Sequence, residues 1–293
     1  MTLLHQVVRI ALPVITFFLI TLVGMDTTIQ AFRQVVRKPK ALIVGVLGQY
    51  ILPLIALSLL KPLHLNPEIG AGLMVIACAP AGGISNVYTY LARANTALSV
   101  TLTSLSCAAA VVTMPLLLHE FERVSGYRSR FQIPLKALFV HLVLLLVLPV
   151  LCGIWIRHRR AAFVKRWEST LRASGFLSLF LLLAFIVYQA SDLFVRHFQN
   201  LVAAAAVFIL LSMLGGYLLG QVFRLQRQDR FTLVSELGVR NVAISTTVAV
   251  TVLSRPEFAV FGTAYFLIEV PILLAVVGLY RKRSSLLSRL TGA

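Results

Sequence analysis

The feature that most constrains this chain is the recurrence of apolar stretches about 20 residues long, separated by short polar breaks. Twenty residues of helix cross the roughly 30 Å hydrocarbon core of a bilayer. In that medium every backbone N–H and C=O must be bonded within the chain, so repeated stretches of this length predict an all-α polytopic membrane protein. They fall at about 8–27, 41–60, 68–92, 97–118, 134–156, 173–190, 199–221, 231–253 and 258–280, which makes nine expected spans. The composition agrees, with 59% hydrophobic and 13% charged residues and a mean hydropathy of +0.90. The first stretch, "IALPVITFFLITLVGM", has no small-residue cleavage site after it and reads as a span, not a signal peptide.

A formal charge of +17 raises the question of nucleic acid, and the distribution of that charge answers it. With the N-terminus outside and the C-terminus in the cytoplasm, 18 of the 27 Lys and Arg fall on the cytoplasmic side. They cluster at Arg33, Arg37, Lys38 and Lys40, at Arg157, Arg159 and Arg160, at Lys165, Arg166 and Arg172, at Arg224, Arg227 and Arg230, and at Arg281, Lys282 and Arg283. Eight lie outside, among them Lys61, Arg123, Arg128, Arg130 and Arg255, and Arg240 is left within the membrane. The surplus marks a face beside anionic lipid, so the expected partner is membrane lipid, with no nucleic acid and no obligate protein partner evident. The expected location is a bacterial inner (cell) membrane. Cys78, Cys107 and Cys152 all lie in apolar stretches without metal spacing, so neither a disulfide nor a zinc framework is implied.

Two spans are interrupted at their middle. In "CAPAGGISNVYTYLARAN" (78–95), Pro80, Gly82, Gly83, Ser85 and Asn86 break a hydrophobic segment; in "SELGVRNVAISTT" (235–247), Glu236, Gly238, Arg240 and Asn241 do the same. Irregular backbone at membrane depth survives only where protein or a water-filled cavity satisfies it. The breaks lie in the third and eighth expected spans, five apart. An odd separation makes equivalent helices antiparallel, the layout of inverted repeats whose discontinuous helices cross at a substrate and ion site. No enzyme site emerges: the chain lacks G-x-x-x-x-G-K-[ST], G-x-S-x-G and H-E-x-x-H.

The run "CAPAGGISNVYTYLARANTALSVTLTSLS" together with "ELGVRNVAIS" resembles the bile acid:sodium symporter family, and the resemblance extends from "GMDTT" to the last span. It implies a nine-span form with a core domain holding two crossed broken helices (about 41–118 and 199–280) and a panel domain (about 8–27 and 134–190). It also implies sodium-coupled symport of an organic anion, either bile-acid-like or a small carboxylate such as pantoate. By the same resemblance the first sodium site would use Ser85, Asn86, Ser99, Thr103 and Glu236. Sodium favours several oxygen ligands, and Ser99 and Thr103, four residues apart, present their hydroxyls on one helix face. They could instead bond back to their own helix.

A second cation site would use Gln49, Glu236 and backbone near 237–239, together with the position where the family has Gln and this chain has Arg240. A guanidinium carries a permanent charge and no acceptor, so one sodium is expected instead of two. Gln49 could equally be an interhelical hydrogen bonder. Asn241 is a candidate substrate contact or the cap of the second half-helix. Glu269 stands where bacterial relatives often carry His near the substrate cavity, and is assigned with Asn241 to substrate binding. Arg240 is expected to pair with Glu236, one helical turn away, with Glu269, or with a bound anion. The alternatives are a proton-coupled or sodium-independent organic anion transporter or exporter dependent on Glu269, an arsenite-type carrier using Cys78, and a non-transporting receptor or scaffold.

Overall fold

The computed structural model describes residues 3–37, 39–124, 133–189 and 191–291; Lys38, Arg128 and Arg130, which enter the charge asymmetry, lie outside them. The order is α1 (Leu3–Asp26), α2 (Ile29–Val36), α3 (Pro39–Gln49), α4 (Ile51–Leu59), α5 (Pro67–Cys78), α6 (Ile84–Leu91), α7 (Thr96–Val124), α8 (Leu135–Leu142), α9 (Leu148–Arg159), α10 (Ala161–Gln189), α11 (Ser191–Arg196), α12 (Phe198–Val222), α13 (Arg227–Gly238), α14 (Val242–Thr247) and α15 (Pro256–Thr291). Among the described residues the only extended pairing is an isolated antiparallel bridge between Ala81 and Arg240.

Among the described residues, six helices are long and apolar enough to cross a membrane: Pro39–Leu59, Thr96–Val124, Leu135–Arg159, Ala161–Tyr188, Phe198–Val222 and Pro256–Arg283. Of the other expected spans, the first has a shorter apolar helix, Ile10–Asp26. The third and eighth are each divided into two helices, α5 with α6 and α13 with α14, at the interruptions read from the sequence. Several boundaries run past the expected ones: α10 starts at Ala161, well before 173, and α15 continues to Thr291.

Prolines shape the local geometry. Pro53 cannot donate to the Gln49 carbonyl, and the helix divides there into α3 and α4. Pro149 follows a π-helical segment, Val143–Val147, in which the Leu148 amide reaches back to Val143 O. A second such segment, Val248–Val252, extends α14.

Close packing between α1 and α9 rests on small residues. A Cβ on Gly153 would sit 2.2 Å from Thr21 O, and one on Gly24 2.3 Å from Val150 O. Elsewhere α15 packs on α5 and α12, α12 on α13, and α7 runs beside α5, α6 and α13. That arrangement places α7 alongside both breaks.

Candidate functional site

The site begins where α5 stops. Pro80 has no N–H, and the residue before a proline is pushed out of the helical region; Ala79 has ψ of 154°. Its counterpart, Val239, is extended at φ −118° and ψ 118° after Gly238 ends α13. The two extended segments pair. Gly82 N donates to Val239 O at 3.3 Å and Asn241 N to Pro80 O at 2.9 Å, while Ala81 N donates to Ser106 Oγ on α7 at 3.1 Å. Backbone freed by the breaks is thus satisfied inside the protein. Gly82 is required by the close approach, because a Cβ there would lie 2.7 Å from Arg240 O.

Beside this crossing the structure brings Ser85, Asn86, Ser99, Thr103 and Glu236 together, from α6, α7 and α13. Ser85, Ser99, Thr103 and Glu236 are fully buried and Asn86 is 3% exposed. Glu236 Oε1 accepts from Ser85 Oγ and Ser99 Oγ, both at 2.5 Å, and from Thr103 Oγ1 at 3.1 Å; Oε2 accepts from Thr103 at 3.2 Å. Ser99 and Thr103 also approach Asn86 Oδ1 at 2.8 and 3.4 Å, Thr103 lies 3.4 Å from Ser85 Oγ, and its hydroxyl is 3.0 Å from Ser99 O. Three hydroxyls supply three protons. They are fewer than the contacts: the single Thr103 proton cannot serve Ser99 O and both Glu236 oxygens, and a cation among the oxygens would relieve the lone pairs left facing each other.

Of the three partners expected for Arg240, the two carboxylates are corrected. Among the described residues it forms no ion pair with Glu236 or Glu269. The extended backbone at Val239 turns it away from the α13 helix, so four-residue spacing no longer brings the side chains together. Its Nη2 instead donates to Ala79 O at the C-terminal end of α5, where helix carbonyls favour a cation, while Nε and Nη1 have no partner. Gln49, with its own Nε2 unbonded, lines the same small cavity as Arg240, along with Cys78, Ala79 and Ser106. Glu269 is fully buried, and the Tyr88 hydroxyl is the polar group set against its carboxyl. Cys78 and Cys107 are buried free thiols.

A cleft of about 700 Å³, open space at its mouth included, is lined by α1, α10 and the crossing, and beside it Thr16 of α1 bonds Ala243 O and Thr247 Oγ1 of α14 at 3.3 and 2.7 Å. Gly82, Gly83 and Ile84, at the start of α6, and Asn241, Val242 and Ala243, at the start of α14, line it, so both half-helix N-termini open on one space. Glu269 is not among the lining residues; Phe266, one turn earlier on α15, is. Asn241 also caps α14, its Oδ1 accepting from Ile244 N at 3.1 Å. At the rim Arg172 Nη2 donates to Asp26 Oδ1 at 2.7 Å, joining α10 to α1.

Other residues of the site were not singled out from the sequence. Thr89 donates to Ser85 O at 2.8 Å, and its spacing of four from Ser85 is a signal that was available. Ser106, which donates to Thr103 O one turn earlier at 2.8 Å and accepts from Ala81 N, offered the same kind of signal; Tyr265, whose hydroxyl donates to Gly238 O at 2.6 Å, had none, because its partner lies on another helix.

Comparison with known proteins identifies the family. The model of the Sodium Bile acid symporter family matches residues 13–197. A Bacillus subtilis (strain 168) protein, the uncharacterized sodium-dependent transporter YocS, is 31% identical over 80% of this chain and 73% of its own. The probable sodium/metabolite cotransporter BASS1 of Arabidopsis thaliana chloroplasts is 28% identical over 81% of this chain and 58% of its own. The hepatic sodium/bile acid cotransporter of Rattus norvegicus is 27% identical over 89% and 73%. With the family model covering well over half of the sequence, this integral membrane chain belongs to the sodium/bile acid symporter family.

Proposed function

We propose that this protein is a sodium-coupled symporter that moves an organic anion by alternating access. The carrying observation is the buried oxygen cluster around Glu236, in which close contacts outnumber hydroxyl protons. Sodium bound by Ser85, Asn86, Ser99, Thr103 and Glu236 ties α6, α7 and α13 to each other and fixes the crossing. The N-terminal ends of α6 and α14, with Asn241, then present positive potential to an anion in the cleft. The remaining walls include Leu19, Val23, Phe176 and Phe266, so the substrate class is an amphipathic carboxylate or sulfonate, bile-acid-like or smaller.

In this reading nine spans form a core (about 41–118 and 199–280) and a panel (about 8–27 and 134–190), related internally by inverted repeats. The cleft lies where the two meet, in a cell membrane with the N-terminus outside. Arg240, on the cavity with Gln49, stands as a tethered cation, and one sodium accompanies each substrate. Relatives described as sodium-dependent or sodium-coupled support the ion.

The test is a sodium titration of purified protein, followed by thermal unfolding against a potassium control, in the parent and Glu236→Ala. A sodium-specific response in the parent that vanishes in the variant is expected. A parent that responds equally to potassium overturns the reading.

A second reading, proton-driven transport, is favoured by one observation: Glu269 is a fully buried carboxyl that faces Tyr88 and, among the described residues, forms no ion pair. Under it, uptake into proteoliposomes follows a pH gradient without sodium and is lost in Glu269→Gln. Uptake that needs sodium and survives that substitution excludes it.

A further inference from the structure

Away from the crossing, α12, α13 and α15 enclose a cleft of about 1210 Å³, open space at its mouth included. Three guanidinium groups line it, those of Arg227, Arg230 and Arg283, and no carboxylate does. The acid nearest in sequence, Asp229, is taken by Asn95 Nδ2 at 2.7 Å. Two of the arginines are held by aromatic rings. Arg227 Cζ sits 4.6 Å above the Tyr280 ring and its Nη2 donates to Tyr280 O at 3.1 Å, while Arg230 Cζ lies 6.0 Å from the centre of Tyr217. Arg230 reaches only one carbonyl, Leu225 O at 3.5 Å, and its buried Nε has no partner. Rings fix the positions of these charges but do not neutralise them. Like charges sharing one cleft repel, and an anion placed among them removes that cost.

The level of the cleft in the fold identifies the anion. The charged run Arg281, Lys282 and Arg283 closes the apolar stretch of α15, and Gln221 is next to last in the apolar helix Phe198–Val222, so the polar end lies where those spans leave the hydrocarbon. Leu214 and Leu279, half to two-thirds exposed on the same helices, continue the walls toward the apolar side. Charge above and apolar surface below is the complement of a phospholipid. A free phosphate ion has no use for the lower half.

We propose that this cleft binds the phosphodiester headgroup of an anionic phospholipid between α12, α13 and α15, with an acyl chain along Leu214 and Leu279. The site is independent of the proposed sodium cluster, although α13 carries Glu236 at its other end. Zwitterionic headgroups are disfavoured, because their ammonium would enter a cleft already holding three cations.

The experiment is a titration of the full chain in neutral detergent with short-chain phosphatidylglycerol, phosphatidylcholine or glycerol 1-phosphate, read by native mass spectrometry and thermal unfolding. Phosphatidylglycerol is expected to bind and stabilise, the other two are not, and Arg230→Gln/Arg283→Gln is expected to weaken the binding tenfold or more. Arg283→Gln alone, at an exposed position, is expected to weaken it several-fold, and Lys165→Gln/Arg166→Gln on α10 should leave it unchanged. Folding of each variant is checked by its response to sodium. Equal binding of phosphatidylcholine, equal loss in the α10 variant, or stabilisation by glycerol 1-phosphate would each overturn the proposal, the last in favour of a soluble phosphate.

Discussion

Thr103 offers the sharpest test of the oxygen cluster, because its one proton is contested. Its Oγ1 lies 3.0 Å from Ser99 O in its own helix and 3.1 and 3.2 Å from the two oxygens of Glu236. If the proton goes to the helix carbonyl, lone pairs of Thr103 face a carboxylate, and that arrangement holds only with a cation between them. Thr103→Val keeps the shape and removes the oxygen. An interaction with a charged group is worth about 1.5–3 kcal/mol, so sodium affinity should fall about 10- to 100-fold. At a sodium concentration about 100 times the parent Kd, binding stabilises the folded state by about 2.7 kcal/mol; the variant should retain between roughly 0.4 and 1.4. The assay is thermal unfolding against sodium with a potassium baseline. Thr101→Val is the control: it is equally buried, but its hydroxyl bonds only Ala97 O, at 2.8 Å. A Thr103→Val protein with the parent sodium curve would refute the reasoning, because the hydroxyl would then be a helix back-bond alone.

Gly82→Ala places a methyl 2.7 Å from Arg240 O, against backbone that cannot yield; we expect a loss of about 1–3 kcal/mol of stability and of transport, read by unfolding and proteoliposome uptake. Arg240→Gln should expose Gln49 and the end of α5 to a mobile cation, so calorimetry should record a second sodium; a count unchanged from the parent contradicts the tethered-cation assignment. Asn241→Ala should cost about 1 kcal/mol through the lost cap, whereas Asn241→Ser restores the cap without the amide. If the serine variant recovers stability but keeps a raised KM for substrate, Asn241 contacts substrate as well as capping α14.

Much of the site could be read from the sequence because membrane helices obey local rules. Pro80 and Gly82 announced a break that no continuous helix would carry, and Ser99 with Thr103 declared a shared face by spacing alone. Spacing misled at Glu236 and Arg240, because the rule for residues one turn apart assumes a helix between them and Val239 is extended. Glu269 was placed near substrate by resemblance, yet its burial depends on how α15 meets α5, α6 and α12, which no local pattern records. The Asp26–Arg172 pair is of the same kind. Its partners are far apart in sequence and meet only because α1 and α10 pack side by side.

The separation of Glu236 from Arg240 bears directly on coupling. Had they paired, the site would be neutral and neither ion nor substrate would gain by entering. Instead the break puts the carboxylate among hydroxyls on α6 and α7 and the guanidinium against the end of α5, so under the proposed function the two charges serve different partners. Sodium beside Glu236 would hold α6 to α13, and that same crossing shapes the mouth of the cleft where Gly83 and Asn241 lie. Two ligands that stabilise one arrangement must raise each other's affinity by the same factor. A saturating substrate analogue should therefore tighten sodium binding as many-fold as saturating sodium tightens the analogue, and Thr103→Val should shrink both effects together. Unequal factors at equilibrium would mean that the two ligands report on different sites, and the crossing would lose its place as the coupling element.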